Sequence, residues 1–185
     1  ARAHPKRPAA GYVGLNATLS EQLEFHEVTA ERWTDLERLF EASGGPKYCW
    51  CMVWRSMARG ERKDSTAKKT ALLSRVQSAV PIGILGYRGT DPVAWCSIAP
   101  REAYRDFVGK SVPADKQDNV WSLVCLFVPR KLRGRGLTKR IIAAAIDHAR
   151  AKGAGVVEAY PVDPESPCRS DEERRQGARH LRDRL

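Results

Sequence analysis

The most constraining feature of this chain is a run of nine residues, Val120 to Val128 (VWSLVCLFV), apolar at every position but Ser122. A strand with one wet face alternates apolar and polar residues; an unbroken run needs cover on both faces and belongs inside a sheet. Pro129 ends it, because proline has no N–H to give to a ladder. "RKLRGRGL" follows, with four basic residues between Arg130 and Arg135 and glycines at 134 and 136. Leu137, Ile141, Ile142, Ala145, Ile146 and Ala149 then recur on one helical face. Lys152 and Gly153 supply a C-terminal helix signal. "GVVEAYPV" reads as a second strand, stopped by Pro161 and Pro164. Strand, helix, strand at this length is a βαβ unit, which makes the two strands parallel neighbours and the fold a layered α/β one.

Upstream, "LEFHEV" has the pattern of a short strand, and Thr29 stands where it could cap a helix carrying Trp33, Leu36, Leu39 and Phe40 on one side. Gly44-Gly45-Pro46 stops that helix. A second helix is expected over "DSTAKKTALLSRVQSA", with Asp64 or Ser65 as its cap. "IGILGY" and "VAWCSIA" flank the turn "RGTDP" and read as a hairpin. The chain thus divides into an N-terminal tail (1–20) without a single acid, a domain (21–163) and a charged C-terminal tail (164–185). The tail has six arginines but only two leucines, so no strand is expected in it and "GVVEAYPV" is expected to be the last core strand. The sheet edge this leaves needs cover from the tail or from a second copy of the chain.

With 185 residues, 42% of them hydrophobic, the chain has enough apolar material for one domain. No apolar run approaches the roughly 20 residues of a membrane span. No signal peptide is visible either, so the chain reads as soluble and cytoplasmic. Five cysteines, an odd number, argue against a disulfide framework. "CWC" lacks a second Cys/His pair at zinc-finger spacing, so no metal is expected and the thiols read as reduced and packed near the core. A net charge of +10 favours acidic partners: nucleic acid, anionic surfaces or phosphate-bearing small molecules.

Between a buried strand and a helix N-terminus, "RKLRGRGL" acquires a specific chemistry. A helix start presents unpaired N–H groups and the positive end of a dipole. Gly134 and Gly136 carry no Cβ, so a phosphate can come close to the backbone, and Arg133 and Arg135 add charge with forked donors. The spacing is not that of a Walker A loop. Nor is it a dinucleotide fingerprint, because Lys139 stands where the third glycine would be.

Lys131-Leu132-Arg133-Gly134-Arg135-Gly136 resembles the central [Q/R]-x-x-G-x-[G/A] motif of the GNAT acetyltransferases, with lysine at the first position. Val128 to Leu137 also fits that family's V-x-x-x-x-R-G-x-G-[LIV] pattern, and residues 23 to 162 follow its order of elements. The resemblance implies a central mixed sheet flanked by helices, with acetyl-CoA as acyl donor and a small-molecule or peptide amine as acceptor. It implies that the backbone of Leu126, Phe127 and Val128 pairs with the pantetheine arm, and that Lys131 and Arg133 to Thr138, including Leu137, hold the pyrophosphate. It also implies an acid for the departing thiolate and a base for the amine. Tyr160 is the first candidate for the acid and Glu158 for the base, both on one face of the last strand. Trp50 and Trp54 precede the second helix, where the family builds its acceptor wall, and are candidates for stacking on substrate. The family's last helix and strands, which often supply the tyrosine, have no counterpart after Pro164. Competing readings are a nucleic-acid-associated protein, a toxin of this family acting on aminoacyl-tRNA, and a coenzyme A sensor without turnover. A homodimer is compatible with each.

Overall fold

The computed structural model describes residues 23–105, 119–159, 161 and 181–184. In chain order the elements are β1 (Leu23–Glu27), α1 (Trp33–Glu41), α2 (Ser65–Gln77), β2 (Ile84–Arg88), β3 (Asp91–Pro100), β4 (Val120–Phe127), α3 (Leu137–Ala151), β5 (Val156–Ala159) and β6 (Leu181–Arg184). They form one sheet in the order β1-β2-β3-β4-β5-β6. Every neighbouring pair is antiparallel except β4 and β5, which run parallel as the βαβ reading requires.

The unbroken apolar run of β4 is explained by cover on both faces. On one face α3 lays Leu137, Ile141, Ala145 and Ala149 against Ile84, Ile98, Trp121 and Leu123. On the other, α1 and α2 bring Trp33, Leu36, Phe40, Leu72 and Val76 onto Leu85, Tyr87 and Trp95. The Asp64 carboxylate caps α2 by accepting from the Thr66 N–H at 2.8 Å. Thr29 makes no side-chain cap; it precedes a 3-10 turn over Ala30–Arg32, and α1 begins at Trp33. The hairpin is tighter than its sequence suggests. Asp91 and Pro92 already pair with Arg88 and Tyr87, leaving only Gly89 and Thr90 in the turn.

The C-terminal tail does contribute a strand, against the expectation that β5 would be last. Leu181–Arg184 pairs antiparallel with β5, Val156 opposite Arg184 and Ala159 opposite Leu181. An edge strand is held by backbone hydrogen bonds and needs no apolar alternation, so a charged segment can supply one. The tail itself therefore covers the edge that β5 would otherwise expose.

Candidate active site

The loop between β4 and α3 has the geometry of an anion cradle. After Pro129 the chain makes a 3-10 turn over Arg130–Leu132, and the buried Leu132 and Leu137 pin the loop at both ends. Gly134 and Gly136 both have φ of +76°, the left-handed region that glycine alone enters without strain. A Cβ built on either would meet nothing within 4 Å, so the space in front of both is open. The first bond closing α3 runs from the Arg140 N–H to the Gly136 carbonyl at 3.3 Å. The helix itself therefore does not use the N–H groups of Leu137, Thr138 and Lys139. No acid stands in this first turn. Lys131, Arg135 and Thr138 are exposed. Arg133 turns back and donates its Nε–H to the Val128 carbonyl at 3.0 Å, bracing the loop. The residues present thus fit a pyrophosphate: open space before two glycines, three helix N–H groups and several cations.

Beside this cradle the described pairing of β4 with β5 ends. β4 and β5 pair only from Val120–Val156 to Leu123–Ala159. Beyond Leu123, β4 continues for four residues that, among the described residues, pair with β3 alone, and its burial falls from full to partial. The register with β3 also shifts at this point: Ser97 faces Cys125 while Ile98 faces Leu123, so Val124 is the extra residue of a bulge. Among the described residues, Val124–Phe127 has no strand partner on its β5 side. Leu126, Phe127 and Val128, the backbone donors expected for an extended ligand, lie on or next to this stretch.

A cavity of about 660 Å³ opens where β4 ends, on the α1 face. Phe127 and Lys131 line it together with Arg38, Arg88 and Arg130. Lys131 thus faces a basic recess bordering the loop.

The expected catalytic side chains fare differently. Glu158 is fully buried, and its carboxylate accepts from Arg101 through two guanidinium nitrogens, Nε at 2.7 Å from Oε1 and Nη2 at Oε2. Ser122 Oγ donates to the same Oε1 at 2.7 Å. A carboxylate so occupied anchors β5 to β4 and to the turn after β3, and is poorly placed to accept a proton from substrate. Tyr160 lies outside the described residues. Trp50 is a core residue, 2% exposed and stacked on Trp33 with ring centroids 5.8 Å apart, so burial removes it from any substrate wall. Trp54 is half-buried and already carries the Arg105 guanidinium 5.8 Å from its ring centre.

Sequence reasoning missed what lies beneath the bulge. Arg55 is 2% exposed and donates to the Cys51 and Ile82 carbonyls, Ser97 Oγ and the Tyr104 hydroxyl. No carboxylate among the described residues pairs with it. Beside it, the Cys51 N–H donates to Cys49 Sγ at 3.5 Å, the Trp95 indole N–H donates to Cys51 Sγ at 3.0 Å, and Cys125 packs against the same core. Cys49, Cys51, Cys96 and Cys125 are free thiols, and no group among the described residues could hold a metal ion. The one available signal was spacing: Cys125 is the sole titratable residue in Val124–Phe127.

A scan against family models matches residues 33–167 to the acetyltransferase (GNAT) family. Comparison with curated protein sequences found no significant match. Among solved structures, the chain is similar to aminoglycoside N-acetyltransferase AAC(6')-Iy in complex with CoA, at TM-score 0.51 and 17% identity over 78% of this chain and 79% of that one. It is also similar to Drosophila melanogaster polyamine N-acetyltransferase (TM-score 0.49, 17% identity, 78% of each chain). A third similar structure is PaiA N-acetyltransferase from Thermoplasma acidophilum with coenzyme A (TM-score 0.46, 13% identity, 78% and 82% covered). At such identities the structures speak to fold alone. The family model spans well over half of the chain, and the glycine cradle at the start of α3 agrees with it: the chain belongs to the acetyltransferase (GNAT) family.

Proposed function

We propose that this protein transfers acetyl from acetyl-CoA to a primary amine, with the donor lying in the gap between β4 and β5. The observation that carries this is the coincidence of two features. A four-residue strand edge, without a partner on its β5 side among the described residues, leads directly into a helix N-terminus with open space before Gly134 and Gly136.

In this reading the backbone of Val124–Phe127 pairs with the pantetheine arm as an added strand would. The N–H groups of Leu137 to Lys139, with Arg133 and Arg135, bind the pyrophosphate. The thioester supplies an activated acetyl group, and an N–H of β4 beside the bulge polarises its carbonyl. The acceptor amine enters from the face of α1 and α2, opposite α3. Exposed Lys131, Arg130 and the basic recess behind them favour an acceptor with an anionic portion. No described helix is long and apolar enough to cross a membrane, in keeping with a cytoplasmic enzyme.

Thermal unfolding with and without acetyl-CoA tests this. At about 100 times the dissociation constant the ligand adds roughly 2.7 kcal/mol, a rise of about 5–10 °C in Tm for a chain of this size. Gly136→Val should lose that rise, measured against its own unliganded Tm, which itself drops because valine resists positive φ. Desulfo-CoA should raise Tm and pantetheine should not. A rise that survives Gly136→Val would remove the loop from the coenzyme site.

A further inference from the structure

The reaction needs a proton acceptor for the amine, and neither β4 nor β5 offers a free carboxylate. Glu158 is occupied by Arg101 and Ser122. Cys125 is different. It is half-buried, sits two residues beyond the last β4–β5 pair, and packs toward the α1 and α2 face. It packs against the same core as Cys51, whose N–H donates to Cys49 Sγ at 3.5 Å, so three cysteines gather between the strand edge and the loop before α2. That loop is held in an unusual shape: Trp50 and Cys51 both have left-handed backbones, with φ of 45° and 50°. Two consecutive non-glycine residues in this region are strained and persist only where the surroundings impose the shape. Here the buried Trp50 and the Trp95-to-Cys51 bond do so.

Resting on the acetyltransferase reading above, we propose that the Cys49–Cys51–Cys125 cluster is the proton-accepting site, with the Cys125 thiolate taking a proton from the acceptor ammonium. The Arg55 guanidinium supplies the counter-charge. It is buried without a carboxylate among the described residues, and its Nε–H has no hydrogen-bond partner. A buried cation in this state favours a negative charge next to it. The neighbouring Cys51 and, less strongly, the Arg55 guanidinium hold the Cys125 thiol below its ordinary value, against burial and Cys49, which oppose them. The other groups facing the cluster are Tyr104, hydrogen-bonded to Arg55, Cys96 behind Cys125, and Lys68 from α2 beside Cys49. Cys49, bonded to Cys51, is brought down to about 6, while burial and its two thiol neighbours push Cys51 up.

The step balances. Cys125 takes one proton from the ammonium and the neutral nitrogen bonds to the thioester carbonyl carbon. The carbon–sulfur bond then breaks, the Cys125 thiol returns its proton to the departing thiolate, and the second nitrogen proton leaves to water. Cys125 ends as it began.

Alkylation by iodoacetamide, mapped by peptide mass, tests this on the intact chain while Tm reports acetyl-CoA binding in the same samples. Cys125 or Cys49 should react well below the pH near 8.5 at which an ordinary thiol ionises. Saturating acetyl-CoA should protect Cys125 at least tenfold. Cys125→Ser, close in size should Cys125→Ala fail to fold, should keep the acetyl-CoA rise in Tm. It should also slow acetylation of a primary-amine panel by about 100-fold or more and remove the acid limb of its pH profile. If acetyl-CoA raises Tm but leaves Cys125 unprotected, or if Cys125→Ser keeps the wild-type rate and pH profile, the thiol proposal falls and the coenzyme site stands. If acetyl-CoA gives no rise in Tm, both fall.

Discussion

Glu158 stands with no solvent contact and a guanidinium across both of its oxygens, so Arg101 is the cation that balances its charge. Removing Arg101 takes that counter-charge from a buried carboxylate. Arg101→Met should cost about 3–5 kcal/mol, whereas Arg101→Met with Glu158→Leu should recover much of it. Chemical denaturation midpoints of the two variants check this, and equal losses would count against the pair as an anchor. His148 gives a pH signature. Burial depresses its pKa below the ordinary 6.5, and among the described residues its Nε2 has no partner beside the Trp121 ring. Below that value the unfolded chain binds a proton that the folded chain resists, so stability falls as pH drops through 6.5. His148→Phe should flatten that limb in Tm measured across mildly acid buffers. These residues also show where sequence stops being informative. Its pattern put Glu158 on a strand, but Arg101 lies 57 positions away and only the folded sheet joins them. Trp50 looked available because it sits in an irregular segment, yet α1 buries it.

Among the elements, α3 and β4 were readable because each repeats a period over many residues: 3.6 in the helix, and continuous apolarity in the strand. The hairpin of β2 and β3 was readable for a similar reason, Gly89 marking its turn. β6 was not, since its four residues carry no apolar alternation and its place is set by β5. Its contribution can be measured. A chain ending at residue 161 should still show the far-ultraviolet spectrum of a mixed fold but lose stability, by about 1–3 kcal/mol of backbone hydrogen bonds. The truncated chain should also associate in a concentration-dependent way, visible by sedimentation, as β5 seeks a new partner. A monomer of unchanged stability would show that the edge needs no cover. The phosphate cradle was legible in residue types but not in detail. Sequence gave Arg133 to the ligand, while the fold also employs its Nε–H to hold Val128.

At the scale of the molecule, one sheet separates two cores, and neither is complete without it. The two faces should therefore unfold together. Trp33, Trp50 and Trp95 report from the α1 and α2 side and Trp121 from the α3 side. Fluorescence of Trp121→Phe and of wild type should give coincident midpoints with circular dichroism, and a split would indicate separable halves. The gap between β4 and β5 has a further implication. Among the described residues the parallel pair covers four positions, and no strand is paired with the β5 side of β4 beyond Leu123. In the proposed complex, the amide protons on that side are bonded only while the donor is present. The sheet then gains and loses a rung with every catalytic cycle, and alternate amides between Val124 and Phe127 become an isotopic clock for coenzyme residence. Their deuterium uptake should slow in proportion to the occupied fraction, with no change at Val120 to Leu123, where β5 already closes the ladder.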